Sequence, residues 1–549
     1  MTAYPAPSVS FANEAGKGPI AVLFARNIGE DGHAHKIARD CAARTKPHIF
    51  PPKDRQSNSE LPESFQSIGA IGTTTLEGKV LSAVMPPDQP LCELVLDADI
   101  RTSRAVSDED KQKIEGALFL REILIQALLE SAGVDSSTNR RPAGLRSQIR
   151  QVISHLTITG DALFRVTDDF RIIVYRRDQY VTRRDSAGDP LYHIVCETID
   201  PLALSAEHFD KTGLDREEIS RKPVAERMMP IFTKIEWKPE SPETGYWHIE
   251  QEVNGRTINT SEERRTSPYI SVPFDLTPPD HYGHAYVELL RGKLRTVDNL
   301  SERIVHHAAL ASENKWARDA NSLVRDEDLQ KPPGSVISGA RVIDGKVQDV
   351  GLIKADNVAD FSVVERVLDR EEAALGRAFL METETAPQGE AGRSPRSWER
   401  IALELEGGLG GLYSPINEYI ILPLVRRVND LIERKKLGPP LPPGTYQINL
   451  LTGLAALGRA AMGLRIQNFA ATLQALGEDA ASWIKPAVLV QVLARYNNIY
   501  VPGLVKTQEE KDAETQAAIA AQVKLAAGNK AADVVGNVAE AAFTPQGNS

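Results

Sequence analysis

Two long helical patterns enclose a short segment of opposite character, and this arrangement constrains the chain more than any other feature. The first pattern, DHYGHAYVELLRGKLRTVDNLSERIVHHAALASENKWARD, contains no proline. As a helix from Ala285 to Arg318 it would run roughly 50 Å at 1.5 Å per residue. The segment KPPGSVISGARVIDGKVQDVGLIKADN follows, rich in Val, Ile, Gly and turn residues. Helical periodicity resumes in ADFSVVERVLDREEAALGRAFLMETET, breaks at APQGEAGRSPRS, and restarts at Ser397 and Trp398. Such a lever built around a small β-like module predicts an elongated element without an enclosed pocket.

The apolar seams of these helices are narrow. Leu289, Val297, Leu300, Ile304, Ala308 and Ala311 define the first; Phe361, Val364, Val367, Leu368, Leu375 and Phe379 define the second. Stripes of that width suit a helix beside copies of itself or one member of an internal bundle, not one buried all round. Charges of both signs cover the rest, without the dense Lys/Arg stripe of a strong DNA grip. In the third pattern, Gly407, Gly408, Gly410, Gly411 and Pro415 predict a bend. GGLGGL there follows a helix, not a strand, so it is no phosphate loop.

The 549 residues allow about two to four domains. A 42% apolar, 25% charged composition is that of ordinary globular material. No apolar run reaches the ~18–20 residues of a membrane span, and the first residues lack a signal-peptide pattern. Cys41, Cys92 and Cys196 have no metal-like spacing and point to a reducing compartment. A net charge of −11 disfavours wrapping nucleic acid on a broad basic surface, though not its passage through a weakly attractive channel.

Ahead of the lever, helices are predicted over about Asn27–Arg44, Phe65–Met85, Ser107–Gly133 and Leu145–Ile158. Gly69 and Gly72 in the second suggest close helix packing. ALFRV, FRIIVYRR, YVTRRD and LYHIVCETID read as strands, and PIFTKIEW with GYWHIEQEV as a hairpin. His33 and His35 are expected to face solvent. The pairs Arg176–Arg177 and Arg183–Arg184 suggest solvated strand edges or inter-subunit ion pairs, with a phosphate site as the alternative. Pro278-Pro279 marks the boundary before the lever. After GPPLPPG, a strand in TYQINLLTG and Ala- and Leu-rich helices are predicted. No P-loop, HExxH, GxSxG, CxxC or strand-anchored GxGxxG stands in a usable context, so no catalytic residue, metal or cofactor is assigned.

YGHAYVELLRGKLRTVDNLSERI, DFSVVERVLDREEAALGRAFL and above all ELEGGLGGLYSPINEYIILPLVRRV resemble the portal proteins, or head-to-tail connectors, of short-tailed podovirus-type bacteriophages. HIFPPKD, IGAIGTTTLEGKVLSAVMPP, GDALFRV, LTGLAALGRA and VPGLVKTQEEKDAETQ extend the resemblance over most of the chain. The flexible N-terminus and EHFDKTGLDREEISRKPVAER, around 205–230, have no clear counterpart. The resemblance implies an α+β portal fold assembled as a homododecameric ring. Its parts would be a flexible segment (1–25), a mixed α/β wing (26–282 and 397–500) and two stem helices (283–318 and 359–381). A β-containing clip (319–358), a channel loop (382–396) and a helical crown with the C-terminal tail (501–549) complete it.

It further implies a non-enzymatic conduit in the virion, at one capsid vertex, made in the host cytoplasm. The partners would be double-stranded DNA, a terminase, adaptor or tail (nozzle) proteins, the major capsid protein, scaffolding protein and internal core proteins, with no membrane. Glu384, Thr385, Gln388, Gly389 and Arg393 of the loop are expected to approach DNA. Arg291, Arg295 and Lys315, placed on the first stem helix, are expected to line the channel. The rival readings are a nucleic-acid-processing enzyme with an unrecognised site and an unrelated cytoplasmic helical scaffold.

Overall fold

The computed structural model describes residues 18–53, 60–85, 91–102, 108–131, 145–241, 244–312, 315–329, 335–344, 346–353, 358–381, 413–441 and 444–450, with a few isolated residues between 466 and 493. In chain order the elements begin with α1 (Pro19–Glu30), α2 (Gly32–Ala43), α3 (Ile68–Val84), β1 (Cys92–Leu96), α4 (Ala98–Thr102), α5 (Asp108–Ser131) and α6 (Leu145–Thr159). Then come β2 (Asp161–Val166), β3 (Ile172–Tyr175), β4 (Tyr180–Arg184), β5 (Pro190–Ile199) and the short helices α7 (Ala206–Thr212), α8 (Arg216–Arg221) and α9 (Val224–Arg227). Strands β6 (Met229–Pro239), β7 (Gly245–Val253), β8 (Arg256–Glu263) and β9 (Tyr269–Pro273) precede the long α10 (Tyr286–Ser312). The remainder is β10 (Lys315–Arg318), α11 (Asp326–Leu329), β11 (Val342–Ile343), β12 (Lys346–Val347), β13 (Val350–Ile353), α12 (Val358–Ala378), α13 (Tyr413–Lys435) and β14 (Tyr446–Leu450).

Residues 1–86 with 130–431 form one compact unit, and 87–129 with 432–549 the other. In the first, β4-β5-β6-β7-β8 make an antiparallel sheet and β3-β2-β9 a smaller one. The predicted hairpin is β6–β7, with Trp237 opposite Trp247. Shortly before Pro278-Pro279, β9 pairs along β2 from Asp161↔Pro273 to Arg165↔Tyr269. Alternation assigns the sheet's two faces. Val181, Ile194, Cys196 and Phe232 meet Ile20, Phe24 and Ile28 of α1, while Tyr180, Val195, Ile235 and Ile249 meet Leu163, Tyr175, Tyr269 and Tyr282. Glu252, itself buried, accepts from the Ile20 and Ala21 amides at 2.9 and 3.2 Å, placing a carboxylate on the α1 N-terminus.

Helix α6 is buried nearly throughout. Its Thr157 and Thr159 hydroxyls donate to the Ile153 and His155 carbonyls, which keeps those groups bonded inside the core. Gly160 ends it at φ 80°, and a Cβ there would run into the Gly283 carbonyl, so the chain must pass without a side chain. The 205–230 segment forms α7 to α9, capped by Ser205 on the His208 amide and by Asp215 on the Glu217 and Glu218 amides.

In the second unit, β1 pairs with β14 from Cys92↔Leu450 to Leu96↔Tyr446. Buried Glu122 of α5 accepts from the Leu94 amide at 2.6 Å, and buried Arg121 donates to the Pro439 carbonyl at 2.6 Å.

Four expectations are corrected. Helix α2 carries His33 outward but buries His35 against Phe50 and Tyr282, because position 35 shares the inward stripe of Ala38, Cys41 and Ala42. Arg177, Arg183 and Arg184 are not solvated edges but buried and paired within the chain. Leu289, assigned to the α10 seam, is exposed; the buried positions are Val287, Leu294 and Val297, one helical step round. Finally, α10 stops at Ser312, and Lys315 opens strand β10 instead of lying on the helix. Close packing at Gly69 and Gly72 is borne out: a Cβ would meet the Arg44 carbonyl at the first and the Phe379 ring at the second.

Candidate channel and assembly surfaces

Tyr282, four residues before α10, is where the sheets hand over to the long helix. Its hydroxyl donates to Asp31 at 2.8 Å and accepts from the Thr182 amide at 3.2 Å. The Arg177 guanidinium lies 3.2 Å from its ring centroid, a cation–π contact in a water-poor interior. Arg183 spans both Asp31 oxygens at 3.1 and 3.0 Å. Arg184 donates to Ser271 at 2.7 Å and to the Gly188 and His281 carbonyls at 3.1 Å each.

At the centre of this charge lattice, fully buried Asp161 accepts from the Tyr180 hydroxyl at 3.0 Å. It is 3.9 Å from Arg177 and 3.5 Å from Arg184. Burial raises its pKa; Arg184 and Arg177 oppose that rise. Burial, then the Arg177 charge, drives His35 down to about 2. His193, stacked on Trp247, is likewise held down to about 3, first by burial and then by Arg184. These groups have the shifted acidities of an active site, but they are buried, and Asp161 is answered by Tyr180, Arg177 and Arg184 of the same chain. The lattice is a joint between α1–α2, both sheets and the root of α10.

Helix α10 presents three flanks. One packs on α12: Val287, Leu294 and Val297 are buried, Tyr286 donates to the Ala378 carbonyl at 2.7 Å, and Lys293 pairs with Glu371 at 3.5 Å. The second faces α2 and residues 64–65. There Arg295 and Arg291 stand 3.0 and 3.9 Å from Asp40, and Asp298 accepts from Ser64 and the Phe65 amide at 2.6 and 2.9 Å. Arg291 and Arg295 are therefore already paired inside the chain. The third flank, with Leu289, Gly292, Thr296 and Arg303, is exposed.

Beyond α10, the β10–β13 pair and the β11–β12 hairpin form a small module organised by Asp349. That carboxylate accepts from the Arg341 amide at 2.8 Å and from Ser322 at 2.7 Å, and the Ser322 bond keeps its pKa low. Val324 is buried in it, but six other apolar side chains are exposed. Leu323 and Val336 are 81% and 85% exposed, and Ile337, Val342, Ile343 and Val347 are exposed too. Leu289 at 74% and Val305 of α10, with Val363 and Val367 of α12, are exposed as well.

Glu384, Thr385, Gln388, Gly389 and Arg393 lie outside the described residues, as do Gly407, Gly408, Gly410 and Gly411. Pro415 lies within α13. Among the described residues, no helix is long and apolar enough to cross a membrane and no group of His, Cys, Asp and Glu is placed to hold a metal ion.

Residues 32–499 match the family model described as bacteriophage head to tail connecting protein. The match covers most of the chain, which therefore belongs to that family of structural connectors and is not an enzyme. The portal protein of Escherichia phage T7 is 25% identical over 86% of this chain and 85% of its own length. The portal protein of Enterobacteria phage T3 is 25% identical over 87% and 86%, and that of Pseudomonas phage phiKMV 24% over 78% and 80%. Among solved structures, a chain from the neck of an empty GTA particle aligns at 11% identity over 73% of this chain and 86% of that one, with a TM-score of 0.33. The resemblance read in the sequence is borne out at the level of the family: this is a portal-type connector of podovirus kind.

Proposed function

We propose that the chain forms a homododecameric ring at one vertex of a phage capsid and serves as the conduit for genome packaging and ejection. The observation that carries this reading is the set of exposed Leu and Val side chains on stem and clip in a chain of this family. Isolated proteins rarely leave so much hydrocarbon in water, and neighbouring copies would cover it. Stem (283–318 and 359–381) and clip (319–358) are its assembly parts, 26–282 with 397–500 its wing, and 501–549 its crown. A terminase docks on the clip during packaging and adaptor or tail (nozzle) proteins take that surface afterwards. Major capsid, scaffolding and internal core proteins surround the wing and crown. Assembly takes place in the host cytoplasm.

Double-stranded DNA passes the channel loop 382–396, where Glu384, Thr385, Gln388, Gly389 and Arg393 approach it. Arg291 and Arg295, whose charge Asp40 already answers in the single chain, and Lys315, which opens β10, are secondary positions that add little to the grip on DNA. An acidic chain suits DNA that must slide without sticking, since isolated contacts screened within ~10 Å hold it weakly. Electron-microscopic imaging with mass measurement of the purified full-length protein tests the reading. Rings with a central hole and a mass near twelve chains support it. A compact monomer with metal-dependent nuclease activity overturns it.

A further inference from the structure

The end of α12 is built unlike an ordinary helix end. The Leu380 amide donates to the Arg377 carbonyl at 3.0 Å and the Met381 amide reaches back to the Gly376 carbonyl at 2.8 Å, the double closure of a Schellman motif. That motif requires a left-handed residue, normally glycine; here Leu380 occupies it at φ 56°. A bulky side chain held in a sparsely populated conformation persists only where its surroundings over-determine it.

Three groups do so. Lys79 of α3 donates to the Leu380 carbonyl at 2.7 Å. The Tyr286 hydroxyl, on the first turn of α10, donates to the Ala378 carbonyl at 2.7 Å. Between them the fully buried Phe379 ring sits over Gly72 of α3, so close that any Cβ at position 72 would overlap it, with its other side 6.4 Å from the Tyr286 ring.

We propose that Gly72, Lys79, Tyr286 and Phe379 form a latch. It fixes the direction in which the chain leaves the stem at Met381, so that helix α3 positions the segment proposed to meet DNA. This inference rests on the conduit reading above. A helix end that merely needed to stop would place glycine at position 380 and no lysine on its carbonyl. A displacement of α3 would move Lys79 and Gly72 together and bear directly on the Leu380 carbonyl and the Phe379 ring. Lys79, Tyr286, Phe379 and Leu380 are positioning residues; none is assigned a contact with DNA.

The test uses the full-length protein with Gly72→Ala, the shape-compensated pair Gly72→Ala with Phe379→Leu, and Lys79→Met, which empties no core. Hydrogen exchange at the Leu380 and Met381 amides reads the latch, and the yield of DNA-filled particles on complementation of a portal-deficient phage reads its use. Gly72→Ala should speed exchange at least tenfold and lower filled particles at least tenfold while rings still form, and the pair should recover both to within threefold. Lys79→Met should act in the same direction more weakly. Exchange unchanged by Gly72→Ala and Lys79→Met overturns the latch. Faster exchange with filled-particle yield unchanged overturns its positioning role. Wild-type protein protected at 380–381 that forms no ring overturns the conduit reading, a failure the exchange measurement separates from loss of the latch.

Discussion

The sheets and the clip handle polar and apolar groups in opposite ways. Around Asp161, three arginines, two tyrosines and two carboxylates are drawn out of solvent and pair with one another within one chain. Around Asp349 the polar groups are also paired, yet Leu323, Val336 and Val342 stand in solvent. A region whose charges are inside and paired owes its shape to itself. A region whose hydrocarbon is outside owes its final state to something added. The contrast predicts a chain whose wing folds alone and whose stem and clip are finished by neighbours.

The sharpest way to break that contrast is at Asp161. Asp161→Ala leaves Arg177 and Arg184 without their shared carboxylate in an interior that excludes water. Removing one partner of a buried ion pair costs about 3–5 kcal/mol. Denaturant unfolding followed by the fluorescence of Trp237 and Trp247, both in the five-stranded sheet, should show a midpoint lowered by that amount. A loss under ~1 kcal/mol would mean the lattice does not hold the wing together.

The converse substitution is Leu323→Asp with Val336→Asp. Both side chains are in water in the single chain, so its unfolding should move by less than about 0.5 kcal/mol. Assembly should fall on the order of 100-fold, because two charges would have to be buried between copies, at a cost of about 1.4 kcal/mol for each tenfold. Sedimentation of wild type and variant at equal concentration decides the matter. Rings that form equally well would show that clip hydrocarbon is not the assembly surface.

Acid sharpens the same comparison. His35, His193 and His155 are held down to about 2, 3 and 4, chiefly by burial, so the unfolded chain, titrating near 6.5, binds their protons first. Their contribution is whole above pH 6.5 and is lost as pH falls toward those values. Each histidine weakens the wing by about 1.4 kcal/mol per pH unit in that window, or roughly 2 kcal/mol by pH 5. His35→Gln should remove one such increment from the slope of stability against pH between 6 and 4. The clip, without a buried histidine among its described residues, should show no such loss.

Much of this contrast was legible in the sequence, and what was not has physical reasons. Alternation or β-branched content in FRIIVYRR, YVTRRD and LYHIVCETID marked strands, although β4 is buried on both faces, and the 3.6-residue period marked α10 and α12. CELVL gave no reading because its partner, YQINL, lies some 350 positions away and a lone five-residue run is ambiguous. YISVP was hidden by the prolines after it. The arginines were placed in solvent because pattern shows charge but not the carboxylate that answers it: Asp161 precedes Arg184 by a turn and two strands, and Asp31 comes from another layer. At the candidate site the sequence marked the two long helices, α10 and α12, and the short β segment between them. It could not tell that Arg291 and Arg295 face Asp40, which depends on how α2 crosses α10.

That last pairing carries the smallest effect and separates two roles for the same residues. Arg295 and Arg291 are partly exposed and share one carboxylate, so solvent screens the attraction, and Arg295→Gln should destabilise the chain by under ~1 kcal/mol. Their charge is already half answered by Asp40, which leaves little field for a phosphate further off. Converting both to Gln should therefore keep the yield of DNA-filled particles within threefold of wild type. A tenfold fall with rings intact would place both guanidiniums on the channel wall despite Asp40. In that case Asp40→Asn, which frees the two charges, should slow ejection and make it more dependent on salt. With both arginines acting only as a brace between α2 and α10, Asp40→Asn should instead leave ejection unchanged and lower stability by more than Arg295→Gln, since it also removes the partner of Arg44.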